Sequence, residues 1–419
     1  MVTNPNMLNN DYHDILPNES RREFLKLIGK STTGAALLTG CTVFSATDTA
    51  LPSVPLIQRH SNNTLPQKKP TVDISLESKI GQMLMVGFRG LSITNHYDPV
   101  MQDIRDRHIG GVILFDRDVP QQQPVRNIQS PAQVRNLVTA LQAYAEIPLL
   151  IGIDYEGGII NRLKEQYGFP PTVSHQYLGT QNNRSLTYQY ASQMARTLAT
   201  MGVNLNFAPV VDLNVNPHNP IIGQKERSFS ANPTVVSDQA FEFIKAHHQQ
   251  GVLCTLKHFP GHGSSTNDSH LGLVDVTDSW SEQELIPYKT LIPTGQVDAV
   301  MTGHIFNKHL DNHYPATLSK PIITGMLRQK LNYSGVVFSD DLQMKAITHH
   351  YGLKTAVQKA IEAGVDIILI GNNLDIFIEN IATQVADIIK QLVTDGTISP
   401  ARIDESYQRI QSLKTKIQV

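Results

Sequence analysis

Cysteine is nearly missing from this chain, with Cys41 and Cys254 the only two in 419 residues. That count excludes a disulfide framework and a cysteine-rich zinc fold. Neither sign of charge dominates, since 35 lysines and arginines stand against 37 aspartates and glutamates. A balance this close to neutral gives no electrostatic reason to expect nucleic acid as a partner. Glycine (27) and proline (23) are too few for a collagen-like or low-complexity chain. What is present is 40% hydrophobic and 17% charged, the make-up of a folded protein and too apolar for a disordered one. The length allows two or three small domains or one large barrel.

The first seventy residues differ in kind from the rest. They show no sustained periodicity, and within them SRREFLKLIGKSTTGAALLTGC runs from Ser20 to Cys41. An arginine pair, Arg21 and Arg22, precedes a weakly apolar run and then small residues, the layout of an export signal. With Lys26 and Lys30 inside it, the run is too short and too polar to span a bilayer. Ser-Arg-Arg-Glu-Phe-Leu-Lys resembles a twin-arginine signal, and Leu38-Thr39-Gly40-Cys41 resembles a bacterial lipobox with Cys41 as the lipidated residue. Residues 1–41 are therefore expected to export the chain to the bacterial periplasm or cell envelope and to anchor it in a membrane through Cys41. Residues 42–70, with Pro52, Pro55, Pro66 and Pro70 and no apolar period, read as a flexible tether.

Residues 71–419 alternate short apolar runs with segments of helical spacing. The runs are 82–88, 111–115, 149–153, 203–210, 252–258, 299–305, 335–340 and 366–371. Near-continuous apolar character over five to eight residues suits strands buried on both faces, as in a parallel sheet. Helices are predicted over 131–145, 186–200, 236–250 and 281–291, the last opened by a capping box of Ser281 and Glu284. Eight such units fit an α/β fold of the (β/α)8 TIM-barrel type, a single catalytic domain expected to act as a monomer. A doubly wound open sheet has the same alternation, but no G-x-G-x-x-G follows the first run, which counts against a dinucleotide fold.

Polar residues gather at the ends of these runs: Asp154 after the third, Asp212 after the fourth, Lys257 and His258 on the fifth, His304 on the sixth, Asp340 and Asp341 on the seventh. Capping explains such residues singly, and Asp341 is placed to cap the segment DLQMKAI. Five of eight strand ends are better explained by an active site at the carboxyl face of a barrel. The densest segment is KHFPGHGSSTNDSH, Lys257 to His270. His258, His262, His270 and Asp268 have the donor types of a metal site, yet Lys257 adjoins the first, and neither H-E-x-x-H nor paired cysteines are present. Asp268 and His270, two apart in an extended loop, make a better acid/base pair, because a carboxylate orients and charges an imidazole. Asp340 then offers an anionic nucleophile, and Lys257, Arg162 and Arg227 supply donors for an oxygen-rich ligand. His262 is as well placed to brace its loop as to touch substrate.

GQMLMVGF, GGVILFDRD, IGIDYEGGIINR, FAPVVDLN with NPIIGQKERSFS, KHFPGHGSSTNDSH and GVVFSDDLQM, in that order, resemble glycoside hydrolase family 3 in its bacterial β-N-acetylhexosaminidase branch. The resemblance covers nearly all of residues 75–375. It implies a barrel that removes terminal β-linked N-acetylglucosamine, from peptidoglycan fragments or chitooligosaccharides, with retention of configuration. By the same resemblance Asp340 is the nucleophile, His270 the acid/base and Asp268 its partner, while Asp154, Arg162, Arg227, Lys257 and His258 bind the sugar. No metal or organic cofactor is required, and the partner is a carbohydrate.

Some positions depart from the family pattern. Ile159, Ile160 and Asn161 stand where a polar residue before valine is usual, and Asp118 stands where asparagine is usual. The polar segment Pro120 to Pro131 is placed to shape the leaving-group side. The chain ends soon after the eighth unit, so the extra α/β domain of longer members is not expected. Three other readings remain at this point: a β-glucosidase-like activity, which the Asp268–His270 pair disfavours, phosphorolysis, and a non-catalytic sugar-binding barrel.

Overall fold

The computed structural model describes residues 74–417, apart from Thr94 and His96. The export signal, Cys41 and the tether to Pro70 lie outside the described residues.

Eight parallel strands follow one another in chain order: β1 (Leu84–Gly87), β2 (Gly111–Leu114), β3 (Leu150–Ile153), β4 (Leu205–Asn206), β5 (Leu253–Phe259), β6 (Ala299–Thr302), β7 (Val336–Phe338) and β8 (Ile368–Ile370). β8 pairs back onto β1, with Ile368 opposite Leu84. A bridge between Phe338 and Ile367 joins β7 to β8, so the sheet closes as a (β/α)8 barrel. Every strand residue is buried, which is why the strands read as near-continuous apolar runs. The fourth run is the exception. Its ladder stops after Asn206 and resumes only as a bridge from Val210 to Lys257, because Pro209 has no N–H to offer a neighbour. Inside the barrel, a Cβ on Gly152 would come within 2.7 Å of the Phe207 ring. That glycine leaves room for Phe207 to meet Phe338 edge-on at 5.5 Å.

Two of the outer helices start where a capping side chain precedes a proline. Ser130 accepts from the N–H of Gln133 ahead of Pro131–Ala143, and Asn232 accepts from that of Thr234 ahead of Pro233–His248. Proline costs nothing at the first helical position, where its missing N–H would be unpaired anyway. The predicted capping box at Ser281 does not form. Ser281 makes no side-chain cap bond, residues 282–285 wind as a 3-10 turn, and the Glu284 carboxylate accepts from the N–H of Gly263 instead. Asp341 likewise does not cap a helix: its Oδ1 accepts from the N–H of Gln343, and the short helix Lys345–Thr348 begins after Met344.

The amino-terminal end of the barrel is shut by helices Leu76–Gln82 and Pro400–Lys414. Lys79 pairs with Asp404 at 2.9 Å, and Lys414 donates to the Gln82 side chain at 2.7 Å. Arg402, Ser406 and Arg409 all reach Asp366, at the root of β8, and Lys416 reaches Asp298, at the root of β6. The carboxyl end stays open, ringed by the loops that follow the strands. Two of those loops are joined by a small parallel ribbon, Val274–Asp275 with Ile305–Phe306.

Candidate active site

The polar residues that end β3, β4, β5 and β7 meet at the open face. Lys257 donates from Nζ to Asp154 at 2.8 Å and lies 2.6 Å from Glu156. Arg227 grips the other side of Glu156 with two parallel bonds of 2.8 Å, the fork geometry that suits guanidinium and carboxylate. Glu156 is buried, and burial alone would raise its pKa, but Arg227 and Lys257 hold it well below the usual carboxylate range. Arg162 stands 3.5 Å from Asp154 on the outer side, with Asp116 behind it, itself bound to Lys164 at 2.7 Å. Asp154, Arg162, Arg227 and Lys257 therefore form one connected charge network.

His258 joins that network through its ring. Its Nδ1 bonds Asp212 at 2.7 Å and its Nε2 lies 3.3 Å from an Arg227 nitrogen. Because arginine can only donate, Nε2 is the acceptor and Nδ1 carries the hydrogen, which fixes both tautomer and ring plane. Asp212 is fully buried and also accepts from the backbone N–H groups of His258 and His262. It sets the position of the β5 end.

Asp340 follows β7 and accepts from the N–H of Asp341 at 2.8 Å. Burial opposes its charge, but the His304, His258 and His270 rings and that N–H outweigh burial and keep its pKa below the usual value. The neighbouring Asp341 differs. Burial lifts its pKa to about 6, and its oxygens are committed to backbone N–H groups of Gln343 and Gly371. Environment thus gives two adjacent carboxyls opposite characters. His304 is buried between the Thr317 hydroxyl and the Asp341 carbonyl, at 2.8 and 2.9 Å, and supports the β7 end from β6.

The loop after β5 carries Asp268 and His270. His270 donates from Nδ1 to the Asp268 carboxylate at 2.7 Å, and its backbone N–H reaches the same oxygen at 2.8 Å. Burial works against the Asp268 charge, yet these bonds bring its pKa down to about 2. Among the described residues Nε2 of His270 has no hydrogen-bond partner, and the ring is half-exposed. The root of the loop is tied from several sides. His262 bonds the hydroxyls of Ser265 and Ser269, Asn219 reaches the carbonyls of His262 and Gly263, and Trp280 reaches that of Pro260. Burial lowers the His262 pKa to about 4, so this ring is a neutral brace at working pH. The Ser269 carbonyl accepts from the N–H of Ala346, pinning the acid/base pair beside the segment that follows Asp340.

The glycosyl hydrolase family 3 N-terminal domain profile matches residues 75–413. The chain belongs to glycosyl hydrolase family 3. Within it, the chain is 35% identical over 385 residues to beta-hexosaminidase A of Pseudoalteromonas piscicida, spanning 83% of this chain and 62% of that relative's length. It is 36% identical over 273 residues to a beta-hexosaminidase of Tolumonas auensis, spanning 64% of this chain and 78% of the relative. A solved family 3 beta-N-acetylglucosaminidase from a Paenibacillus species superposes with a TM-score of 0.74 at 37% identity, over 82% of this chain and 62% of that one. These likenesses place the chain in the family's β-N-acetylhexosaminidase branch.

In this family 3 hydrolase, all eight site residues expected from the sequence lie at the open end of the barrel, and hydrogen bonds or ion pairs join seven of them to another of the eight. Asp340 is linked through charge and loop contacts. Three functional supports were not foreseen. Glu156 is the hub of the cationic pocket, although it sits in the quoted IGIDYEGG and its spacing of two from Asp154 is the available signal. Ser269 couples His262 to the acid/base pair. Glu284 was assigned to a helix cap, whereas burial raises its pKa to about 7 and its carboxylate holds the Gly263 turn. Among the described residues, no group of three or more histidine, cysteine or acidic side chains is arranged to hold a metal.

Proposed function

We propose that this chain hydrolyses terminal, non-reducing β-linked N-acetylglucosamine from peptidoglycan fragments or chitooligosaccharides, with retention of configuration. The observation that carries the reading is the pairing of an ionised, solvent-reachable Asp340 with a His270 whose Nδ1 is held by Asp268. His270, protonated on both nitrogens, gives its Nε2 proton to the leaving oxygen as Asp340 attacks the anomeric carbon. The C–O bond to the leaving group breaks as the bond to Asp340 forms, giving a glycosyl-enzyme. The neutral Nε2 then takes a proton from water, whose oxygen displaces Asp340 and restores both groups. A histidine thus fills the place of one carboxyl group in the usual two-carboxylate scheme. Asp154, Arg162, Arg227, Lys257 and His258 bind the sugar, with the donors of Arg227 and Lys257 held by Glu156 and the His258 ring held by Asp212.

A chromogenic N-acetyl-β-glucosaminide, offered with and without phosphate, tests the reading. Release of N-acetylglucosamine at the same rate in both, with the β-anomer appearing first by NMR, is the expected result. No release by a folded chain would refute hydrolysis, and release of sugar 1-phosphate only with phosphate would replace it by phosphorolysis.

The arginine pair and the lipobox-like tetrapeptide support a further proposal, that the chain is exported and anchored at an acylated Cys41. Mass spectrometry of membrane fractions should find Cys41 as the modified first residue. A mature chain that still begins at Met1 in the cytoplasm would contradict it.

A further inference from the structure

Two buried carboxyl groups hold adjacent backbone N–H groups where β5 turns into the acid/base loop. Asp212, after β4, accepts from the N–H of His262 at 2.8 Å. Glu284, in the 3-10 turn ahead of helix Ile286–Leu291, accepts from that of Gly263 at 2.8 Å. Asp212 also holds the His258 ring, so it serves the sugar pocket. Glu284 has no such tie. Its second oxygen has no hydrogen-bond partner and no cation pairs with it among the described residues. Burial and the nearby Asp212 charge raise its pKa to about 7. A carboxyl group in this setting costs stability, and what it secures in return is the Gly263 N–H. The turn it secures has no slack. A Cβ on Gly263 would strike the Leu213 carbonyl, and Tyr288, four residues beyond Glu284, packs edge-on against Phe259 at 5.1 Å.

From Gly263 a chain of contacts leads to the acid/base pair. The neighbouring His262 ring reaches the Ser265 hydroxyl at 2.8 Å through Nδ1 and the Ser269 hydroxyl at 3.3 Å through Nε2. Ser269 stands between Asp268 and His270 in the chain. We infer that Glu284 is a positioning residue for proton transfer: through the Gly263 N–H and the His262 ring it sets where His270 meets the leaving oxygen. This rests on the glycosidase reading and deepens it, because it separates the groups that bind the sugar from the group that aims the proton. Without the Glu284 acceptor the Gly263 N–H is buried and unpaired, which costs more than the bond itself was worth, so the turn shifts toward another acceptor. The His262 ring carries the shift to Ser269, and proton transfer tolerates little displacement of the donor. His258, held by Asp212 and Arg227, stays in place.

The test uses the full chain and two substrates with the same N-acetylglucosamine donor: an aryl glycoside with a good leaving group, and a disaccharide of N-acetylglucosamine. Glu284→Met fills the site without an acceptor. It should lower kcat/KM on the disaccharide by about tenfold or more, the scale of loss that a small displacement of a catalytic group produces. On the aryl glycoside kcat/KM should change less than about threefold, since that leaving group needs little protonation. Inhibition by N-acetylglucosamine should match the wild type, because His258 and its partners are untouched. Azide displaces Asp340 without needing a base, so it should raise kcat of the variant on the aryl glycoside, with N-acetylglucosaminyl azide as product, and leave the wild-type rate unchanged. Glu284→Gln keeps a carbonyl acceptor for Gly263 and should recover most of the disaccharide rate. Ser269→Ala cuts the link from His262, should show the same split in milder form, and decides the matter if Glu284→Met does not fold. Equal losses on both substrates, weaker inhibition by N-acetylglucosamine, or no response to azide would overturn the inference and make Glu284 a support of the whole pocket. A Gln variant as slow as the Met variant would overturn it as well, by placing the effect in the charge rather than the bond. A folded wild-type chain that cleaves neither substrate overturns the glycosidase reading itself, a result distinct from these.

Discussion

Lys414 is a lysine in the wrong solvent. Its side chain is buried under the closed end of the barrel, its Nζ bonds the neutral Gln82 side chain at 2.7 Å, and among the described residues no carboxylate pairs with it. Burial brings its pKa from 10.5 to about 7. The folded state therefore binds fewer protons than the unfolded state between about pH 7 and pH 10.5, so stability rises with pH across that window. Below pH 7 both states are protonated and the penalty is complete. At 1.36 kcal/mol per pKa unit it amounts to about 4–5 kcal/mol against a solvated lysine, and it shrinks by roughly 1 kcal/mol between pH 6 and pH 8. Lys414→Met keeps the apolar stem and removes the charge, at the cost of the bond to Gln82, about 1 kcal/mol. Thermal melts of both proteins at pH 6, 7 and 8 should show the variant more stable throughout, with the gap widest at pH 6. A variant less stable at pH 6, or a gap that does not change with pH, would refute the reasoning.

Replacing Asp340 by Ala should reduce kcat by about three orders of magnitude or more while the melting temperature holds, because the carboxylate is placed for chemistry rather than packing. His270→Ala should spare aryl glycosides with good leaving groups and penalise disaccharides, a split read as the ratio of kcat/KM values; equal losses would deny His270 the role of acid. Asp366→Asn should lower the unfolding free energy by about 3–5 kcal/mol in denaturant titrations, since Arg328, Arg402 and Arg409 all converge on that buried carboxylate. Turnover per folded molecule should stay unchanged in that variant, as Asp366 lies at the end of the barrel away from Asp340.

The barrel was legible in the sequence because a strand buried on both faces is apolar along most of its length, and polar residues enter β5 only where partners await them. β4 was over-read for the reason that Phe207 to Val210 is as apolar as any strand, while pairing depends on an N–H that Pro209 lacks. Residues that end strands were legible as a group, since charge at the edge of an apolar run is conspicuous. Their partners were less so. Asp212 reads as one more strand-end carboxylate, and nothing in its own neighbourhood says that it will hold His258 and His262 from across a strand. Glu284 was misread because Ser-x-x-Glu is a local pattern, whereas the carboxylate is claimed by Gly263 through a contact of high sequence separation. A Cβ on Gly261 would lie 2.5 Å from the Glu284 Cβ, so the packing there leaves that side chain little choice of direction. Local rules predict the options of a side chain, and tertiary packing selects among them.

The two helices that close the barrel also decide how the molecule can be attached to anything else. Helix Leu76–Gln82 and helix Pro400–Lys414 lie against each other at the end away from the catalytic groups, so the described chain enters and leaves on the same side. A support or fusion partner joined directly at residue 74 or residue 417 would therefore start from the face remote from the sugar pocket. Immobilising the barrel through either of those two points should give surfaces of equal activity, with the pocket turned outward to meet its glycan.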